Sequence, residues 1–595
     1  MTQSAGSSQS FDPRATLDLY RAGKFEEVSD IFIRVLDFLS ANFFRELNET
    51  DQYFINSFLK TFLYILTQPD FKVPDRYIER MVLHNHMISN LLAISIFKNS
   101  DPYLDILRGQ PANFVAILTL YSARNTVQFD RKALFDTSPQ LASIWYLQYA
   151  SAFYSSLASE VGWKNLKEHF NFSHPNLFIW SDVQEIYFGS TYVDGKCDRP
   201  IKEHINRTIQ KITNTLPPIK NKPNPKKLAL ISATWHKTHS VYRNYFKYIE
   251  LLKTKYDITF FDFAHYTPSA ERGFFNHSHA LKLAPNGALD LSPLLENDFQ
   301  MVIFPDVGMC AESIFLANCK LAPIQMCMPG HSVSTWGSKV DYYFTGADVE
   351  PAEKPEENYS ERVVLLPGMG VIHNTPLYKH RNIRGTHTDH VAINCAWFSQ
   401  KVNYPFLQTL KKLIARSKKK VVLSFFVGVS SLRKNDFYPF HQEIYRQLGD
   451  SARVLPGLSY DDYMASMEQS DMSLDSFHFG GCNTISDSLF LRLPTITWEG
   501  SKWYARIGSQ MLRLVGMHEC IATNEEQYLD IALKMIEDDA YRADVRARLE
   551  MVNLDETIYS TAEAKYYVNG VDYIIANHEK LQAEGKRDAI RIPRD

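Results

Sequence analysis

Several features that would place the chain in a specialised class are missing or scarce. Seven cysteines are scattered through 595 residues, and none forms a Cys-x-x-Cys pair. An odd number of cysteines without such pairs argues against a disulfide framework or a cysteine-based zinc site, and it favours a reducing compartment. No apolar run reaches the roughly 18 residues that a membrane-spanning helix needs. The net charge of −3 gives no support to a nucleic-acid-binding function.

The first residues also lack a targeting signal. Residues 1–12 are polar and rich in serine, without the basic start and the apolar run of a secretory signal peptide. They are predicted to form a disordered N-terminus, and the protein is expected to be cytoplasmic.

A chain of 595 residues is too long for one hydrophobic core, so several domains are expected. Between residues 13 and 216, apolar side chains recur at helical spacing, as in Glu27–Leu36 and Tyr53–Leu63. This periodicity predicts an all-α domain. Its many aromatic residues, among them Phe43 and Phe44, are expected to form core rather than a ligand cage.

The pattern changes after a Pro- and Lys-rich linker, Leu216–Lys227. Apolar runs of strand length then alternate with helical segments, which is typical of a parallel sheet covered by helices. A polar break at Lys379–His390 separates two such series, so one α/β domain is predicted at 226–378 and a second at 388–595. The last predicted helix, Ala562–Asn577, is expected to pack back across their junction. The predicted strands begin at Leu228, Ile258, Met301 and Ile324 in the first series, and at Val391, Val421, Arg453, Met472 and Thr495 in the second.

Two doubly wound domains in tandem usually bind a ligand in the crevice beyond the carboxyl ends of their strands. The stretch Asp475–Asp487 follows the predicted strand at Met472, contains the glycine pair Gly480–Gly481 and leads into a predicted helix. Asn483 and Thr484 begin this helix, where unpaired N–H groups and the helix dipole suit a phosphate. Asp487 lies one turn further on, where its carboxylate could hold a ribose. An ordinary tight turn with Asn483 as the helix cap is the alternative.

Polar residues also follow other predicted strands. His236 and His239 come after the first strand of the first α/β domain, and His331 lies in a Pro-Gly-His turn after the fourth. His-x-x-His could ligate a metal, but no third ligand is near in the sequence, so no metal site is predicted.

The first strand of the second α/β domain is followed by Ser399, Gln400 and Lys401. The lysine could meet a diphosphate as a point charge, although a single loop lysine is by itself more typical of a solvated position. Four strand-end loops together carry the polar residues that a nucleotide-sugar crevice would need, and this coincidence favours such a site.

Four segments of the chain resemble a known family. They look like the signature segments of glycosyltransferase family 41, in matching order and rough spacing, and they are Ser232–Arg243, Leu321–His331, Gln400–Asn403 and Phe479–Asp487. That family holds the O-GlcNAc transferases and the bacterial cytoplasmic adhesin N-glycosyltransferases. The bacterial branch is the more similar, because its chains also carry a helical domain ahead of a GT-B pair of Rossmann-like domains.

The resemblance implies an α/β fold of the GT-B type, with two Rossmann-like domains facing a crevice and an all-α domain before them. It implies a metal-independent, inverting transfer of a hexose or HexNAc from a UDP-sugar to a protein side chain, Asn or Ser/Thr. No cofactor is expected beside the UDP-sugar. The expected partners are this donor and a protein or peptide acceptor, with no nucleic acid and no membrane span.

The resemblance also implies roles for individual residues. Lys401 would contact the diphosphate, with Ser399 and Gln400 in the same donor-binding loop. The glycine pair Gly480–Gly481 and the helix-start residues Asn483 and Thr484 would lie under that diphosphate, and Asp487 would hold the ribose. His239, His236 and His331 would form the catalytic group near the reaction centre.

Three features depart from the family pattern. The family's Thr-Thr before the lysine is Phe398-Ser399 here, preceded by Trp397, and a bulky aromatic near the uracil or sugar pocket could change the donor. Val429 stands where the N-glycosyltransferases have a glutamine, which leaves the sugar and the Asn acceptor open. His478 replaces a proline of the most similar members.

Two other functions stay open from the sequence. One is a GT-B glycosyltransferase that acts on a glycan or a small molecule. The other is a non-catalytic nucleotide-sugar-binding protein of the same fold, against which the joint retention of Lys401, Asn483, Asp487 and His239 argues.

Overall fold

The structure is a computed structural model of the chain, and it describes residues 11–41, 47–110, 113–178, 183–264, 270–284, 287–383, 389–426, 436–455 and 457–594. Predictions that concern residues 1–10, Phe43, Phe44, 384–388 and Val429 lie outside these residues. The contacts between residues divide the chain into two compact units. The first unit is Met1–Ser181, Phe398–Lys411 and Phe425–Leu458, and the second is Asp182–Trp397, Lys412–Ser424 and Ser459–Asp595.

The N-terminal part of the chain is helical, as its periodicity predicts. Its caps follow from the sequence: Asp12 accepts hydrogen bonds from the N–H groups of Arg14 and Ala15, and Pro13 occupies the first helical position. Helices α1 to α11 are Pro13–Arg21, Phe25–Ala41, Glu49–Leu66, Asp75–Leu83, Asn85–Ile94, Asp101–Arg108, Phe114–Leu120, Arg131–Thr137, Pro139–Ala150, Phe153–Ser156 and Glu160–Asn171.

The next part of the chain builds the first sheet. Helices α12 to α16 are Val183–Val193, Asp198–Thr213, Ser240–Leu252, Ser292–Leu295 and Ala311–Ala317. Strands β1 to β7 are Asn224–Ile231, Asp257–Phe263, His277–Leu281, Phe299–Phe304, Ile324–Cys327, Tyr342–Gly346 and Arg362–Leu366. The central strands are buried apolar runs, as a parallel sheet with helices on its faces requires.

The second series of elements follows in the same alternation. Strands β8 to β13 are Val391–Cys395, Val421–Phe426, Ala452–Leu455, Met472–Leu474, Thr495–Trp498 and Ile521–Ala522. Helices α17 to α24 are Tyr404–Arg416, Phe437–Leu448, Tyr460–Glu468, Asn483–Phe490, Ile507–Leu514, Glu525–Glu537, Asp539–Glu550 and Lys565–Glu584, and strand β14 is Ile590–Arg591.

The first sheet has eight parallel strands in the order β14-β7-β6-β5-β4-β1-β2-β3. In the second unit, the strands of the other sheet lie in the order β9-β8-β11-β12-β13. Of β9, residues 421–424 belong to this unit. The pairs β8-β11, β11-β12 and β12-β13 are parallel. Two parallel sheets with helical crossovers confirm the predicted α/β class.

The C-terminal segment returns to the first sheet. Strand β14 pairs with β7, and α24 packs on α14 and β7. Tyr567 on α24 stacks on Tyr248 of α14 with 4.7 Å between ring centroids. The sequence-based division groups this segment with the second α/β domain, whereas its contacts are with the first sheet, because β7 offers the strand edge that β14 covers.

All nine strands predicted from apolar runs are present. The strands that the sequence reading leaves out are β3, β6, β7, β13 and β14. Among the described residues, no helix is long and apolar enough to cross a membrane.

The first unit contains a buried polar cluster around the carboxylate of Asp436, just before α18. Its Oδ1 accepts hydrogen bonds from His86 Nε2 at 2.8 Å, Asn90 Nδ2 at 2.9 Å and Ser155 Oγ at 2.8 Å. Arg124 Nη2 donates to Asn90 Oδ1 at 3.1 Å and to Ser155 Oγ at 2.9 Å. Because a buried charge is costly unless it is bonded, this cluster specifies how α5, α10 and α18 pack within the unit.

We expect Asp436→Ala to destabilise the first unit by about 2–4 kcal/mol, since it removes the acceptor that three buried donors share. The matched control is Asp450→Ala, at an exposed position of the same unit, which should change stability by less than about 0.5 kcal/mol. Urea unfolding followed by tryptophan fluorescence compares the two variants. Equal stabilities of the two variants would contradict the role given to the cluster.

Candidate active site

The topological switch point of the first sheet lies between β1 and β4. Asp306, two residues after β4, is fully buried there. Its Oδ2 accepts hydrogen bonds from Ser232 Oγ at 2.7 Å, from Thr234 Oγ1 at 2.6 Å and from two backbone N–H groups at 3.0 and 3.1 Å. These donors compensate the buried carboxylate. Asp306 thereby fixes the loop after β1, which carries His236 and His239.

His239 is the N-cap of α14, and its Nδ1 accepts a hydrogen bond from the N–H of Val241 at 3.2 Å. Burial, and secondarily the neighbouring His236, lower the pKa of His239 to about 4. The imidazole is therefore neutral at pH 7. Because Nδ1 is an acceptor, the single proton of the neutral ring resides on Nε2. The ring of His236 lies 5.2 Å away between centroids, and burial lowers its pKa as well.

His331 follows β5 and is only 4% exposed. Its ring packs on Phe188 at 4.5 Å between centroids, and among the described residues neither ring nitrogen has a hydrogen-bond partner. Burial, and then the charge of Lys202, lower its pKa well below the usual value. A Cβ on the preceding Gly330 would lie 3.1 Å from Val241 Cγ2. The Pro-Gly-His turn thus lies against the first turn of α14.

The glycine-rich turn after β11 is built around the carboxylate of Asp475. Its Oδ1 accepts hydrogen bonds from the N–H groups of Ser476 at 2.8 Å and Gly481 at 2.6 Å. A Cβ on Gly480 would come within 2.9 Å of the Tyr504 carbonyl oxygen, and one on Gly481 would overlap a threonine hydroxyl. Close packing therefore requires both glycines, whether or not a ligand binds.

Helix α20 begins at Asn483, as predicted, with Thr484 half-buried in its first turn. The first N–H groups of a helix have no acceptor within the helix and suit an anion. The Oδ1 of Asn483 lies 3.0 Å from Nδ1 of His373, a buried residue on the segment after β7.

Asp487 lies one turn further along α20 and is almost fully buried. Its Oδ1 accepts hydrogen bonds from Arg243 Nη2 at 2.7 Å and from the Tyr460 hydroxyl at 3.0 Å. The guanidinium of Arg243 also lies over the Tyr460 ring, 5.4 Å from its centroid. A carboxylate has about four acceptor positions, so two donors on one oxygen do not use up its capacity for a further hydroxyl.

Lys401, Ser399 and Gln400 lie in the first unit, in a short 3₁₀ turn. Ser399 and Gln400 are buried, and among the described residues Ser399 Oγ and Gln400 Oε1 have no hydrogen-bond partner. Lys401 is half-buried. Buried polar atoms without partners are unusual outside functional sites, so this turn has capacity for a polar ligand.

Two of the departures from the family pattern have a structural explanation. Trp397 is buried, and its Nε1 donates to the Leu474 carbonyl at 2.9 Å, so its ring belongs to the core of the second sheet. His478 lies 3.1 Å through Nε2 from the carbonyl oxygen of Thr191. Phe398 is 44% exposed and remains the aromatic side chain that could contact a ligand.

Helix α14 brings most of the predicted residues of the second unit together. It is capped by His239, its Arg243 holds Asp487, and its Asn244 donates to Cys482 Sγ at 3.7 Å. The sequence reading gives no role to Arg243, nor to two further buried residues, Asp306 and His373. Arg243 is the last residue of the family-like segment Ser232–Arg243. This position is the sequence feature that could have indicated a role for it.

Among the described residues, no group of three or more His, Cys, Asp or Glu side chains is placed to hold a metal ion. Within the described part of the chain, no His, Cys, Asp or Glu side chain lies where it could complete a metal site with His236 and His239.

The chain is similar to known proteins in sequence and in fold. The sequence model of Glycosyl transferase family 41 matches residues 460–570, which contain α19, α20 and Asp487. A UDP-glucose:protein N-beta-glucosyltransferase of Actinobacillus pleuropneumoniae serotype 5b (strain L20) is 22% identical over 537 residues, or 83% of this chain and 84% of that protein. A probable UDP-N-acetylglucosamine–peptide N-acetylglucosaminyltransferase SPINDLY of Petunia hybrida is 24% identical over 44% of this chain and 28% of its own length.

A solved structure shares the fold. The structure of a mutant of the Thermobaculum terrenum O-GlcNAc transferase superposes with a TM-score of 0.56 at 16% identity, covering 87% of this chain and all of that one. The segment that matches the family model contains α20 and Asp487, whose carboxylate is paired with Arg243. The fold is of the GT-B type. Residues 460–570 match the model of glycosyltransferase family 41, and the chain is a glycosyltransferase.

Proposed function

We propose that the chain transfers a hexose or N-acetylhexosamine from a UDP-sugar to a protein side chain, Asn or Ser/Thr, with inversion and without a metal. The observation that carries the proposal is the start of α20. The first amides of the helix, Asn483, Thr484 and the carboxylate of Asp487 lie together there, within the segment that matches the family. The names of the similar proteins, which are protein or peptide glycosyltransferases with UDP-sugar donors, support the same reaction class.

In the proposed reaction, the acceptor atom attacks C1 of the sugar from the face opposite the diphosphate. The bond from C1 to the β-phosphate oxygen breaks, UDP leaves with the electron pair, and the acceptor's proton passes to a general base, for which His236 and His331 are the candidates. Negative charge develops on the departing diphosphate. Donors already aimed at that charge lower the barrier, and we assign this task to Lys401 and to the first amides of α20.

His239 is proposed to orient the reactants rather than to serve as the base. Its neutral ring carries its proton on Nε2, because Nδ1 accepts the N–H of Val241. Nε2 is thus a hydrogen-bond donor at neutral pH and has no lone pair to receive a proton. His236 and His331 are the candidates for the catalytic base. Burial lowers the pKa of each ring, so both are neutral at pH 7 and able to accept a proton.

A protein acceptor is favoured over a glycan or a small molecule, because 83% of the chain is similar to a protein N-glucosyltransferase. A match of this length extends into the helical region of the chain. The test is incubation of the purified protein with UDP-Glc, UDP-Gal, UDP-GlcNAc or a GDP-sugar, and with peptide libraries containing Asn or Ser/Thr. Mass spectrometry should detect a hexose or HexNAc on a peptide with one UDP-sugar, and EDTA should not change the rate. Hydrolysis or binding of the donor without peptide modification would favour another acceptor or a non-catalytic role.

We expect Lys401→Ala to abolish transfer and to weaken UDP binding by about 10- to 100-fold, because a hydrogen bond to a charged group contributes roughly 1.5–3 kcal/mol. Lys411→Ala is the control, because this lysine is exposed in the same unit. Isothermal titration with UDP compares the two. Normal UDP affinity in the Lys401 variant would contradict its assignment to the diphosphate.

We expect His239→Asn to lower turnover by about 100-fold or more, while UDP affinity stays within about threefold of the original. Asparagine is chosen because it keeps an acceptor for the N–H of Val241, so loss of the helix cap does not confuse the result. Steady-state kinetics and UDP titration measure the two effects. A collapse of UDP affinity would make His239 a donor-binding residue, and unchanged turnover would remove it from the reaction centre.

A further inference from the structure

His373 is a buried residue with a defined position between β7 and β8. The N–H of Ile372 donates to the carbonyl of Asn244 at 3.1 Å, and the N–H of Asn374 donates to the carbonyl of Arg243 at 3.1 Å. Both carbonyls belong to α14. The residue between these two anchors, His373, is only 2% exposed, so its side chain has one well-defined place.

Among the described residues, the imidazole of His373 is within hydrogen-bonding reach of two groups at the start of α20. Its Nδ1 lies 3.0 Å from Asn483 Oδ1, and its Nε2 lies 3.9 Å from Cys482 Sγ. Burial, and then the charge of Arg243, lower the pKa of His373 to about 4. The ring is therefore neutral at pH 7 and carries a single proton. A proton on Nδ1 serves both neighbours, since Nδ1–H donates to the amide oxygen and Nε2 can accept the thiol proton of Cys482.

This hydrogen bond determines which end of the Asn483 carboxamide is available to a ligand. The oxygen and the NH₂ group of an amide point in different directions from the same carbon. If His373 binds the oxygen, the NH₂ group is the end left for other partners. An anion needs donors, and an amide turned the other way would offer it an oxygen and repel it.

We propose that His373 is a positioning residue of the donor site, which holds the Asn483 carboxamide so that its N–H groups, and not its oxygen, meet the diphosphate. The inference rests on the proposed function, because it takes the ligand at α20 to be a nucleoside diphosphate. His373 itself does not touch the substrate in this arrangement. Its contribution is to binding of the diphosphate group, and it makes none to binding of the nucleoside.

The experiment compares UDP with uridine, which lacks the diphosphate, by isothermal titration of the full chain. His373→Phe fills the site but removes the donor, and it should weaken UDP binding about tenfold, the effect of one hydrogen bond of about 1.4 kcal/mol. Uridine binding should stay within about twofold. His373→Asn, whose Nδ2 lies near the position of the histidine Nδ1, should restore UDP affinity to within about threefold.

Kinetics add a second readout. The kcat/KM for the UDP-sugar should fall about tenfold or more in His373→Phe, because the lost contact serves the diphosphate. His277→Phe is the matched control, since His277 is exposed on β3, and it should leave both affinities unchanged. Thermal unfolding of each variant identifies any that fail to fold, and the asparagine variant then carries the comparison.

The outcomes separate this inference from the proposed function. If the original chain binds UDP no better than uridine, the proposed function fails, and the inference falls with it. If the original chain prefers UDP and the phenylalanine variant keeps that preference in full, only the inference is overturned. A loss of UDP and uridine binding to the same degree would also overturn it, because it would indicate a general structural role.

Discussion

The ion pair between Arg243 and Asp487 is the interaction on which the arrangement of the site depends. It joins α14, which packs with the first sheet, to α20, which follows β11 of the other sheet. Both side chains are largely buried, and the Tyr460 hydroxyl shares the same carboxylate oxygen. Burying either charge alone would be costly, so each stabilises the other only in this geometry. The pair thereby fixes the start of α14, capped by His239, relative to the start of α20.

The same constraint gives the site its electrostatic character. The histidines described around it are held neutral by burial, so they can orient or donate without adding charge. Positive potential comes instead from the amides at the start of α20. A diphosphate would thus meet donors that need little rearrangement, which is the property expected of a transferase that stabilises a leaving group. Asp487 keeps acceptor capacity for a ribose beside Arg243.

The sequence predicts those strands and helices whose own residues carry a recognisable apolar pattern. Buried strands such as β1 and β4 are continuous apolar runs, and their periodicity is sufficient to place them. Strand β3, which reads His-Ser-His-Ala-Leu, lies at the sheet edge and has no such run, and the two residues of β14 form a strand only because β7 is available. The helix start at Asn483 was predictable from local chemistry. Asp306 and His373 were not, since their partners lie far away in the sequence.

The central claim is that a nucleoside diphosphate binds at the start of α20, with its ribose on the carboxylate that Arg243 holds. The most direct measurement is a crystal structure of the chain with UDP. We expect phosphate oxygens within hydrogen-bonding distance of the Asn483 and Thr484 amides, and a ribose hydroxyl on Asp487. A nucleotide bound elsewhere, or one whose ribose is remote from Asp487, would contradict it.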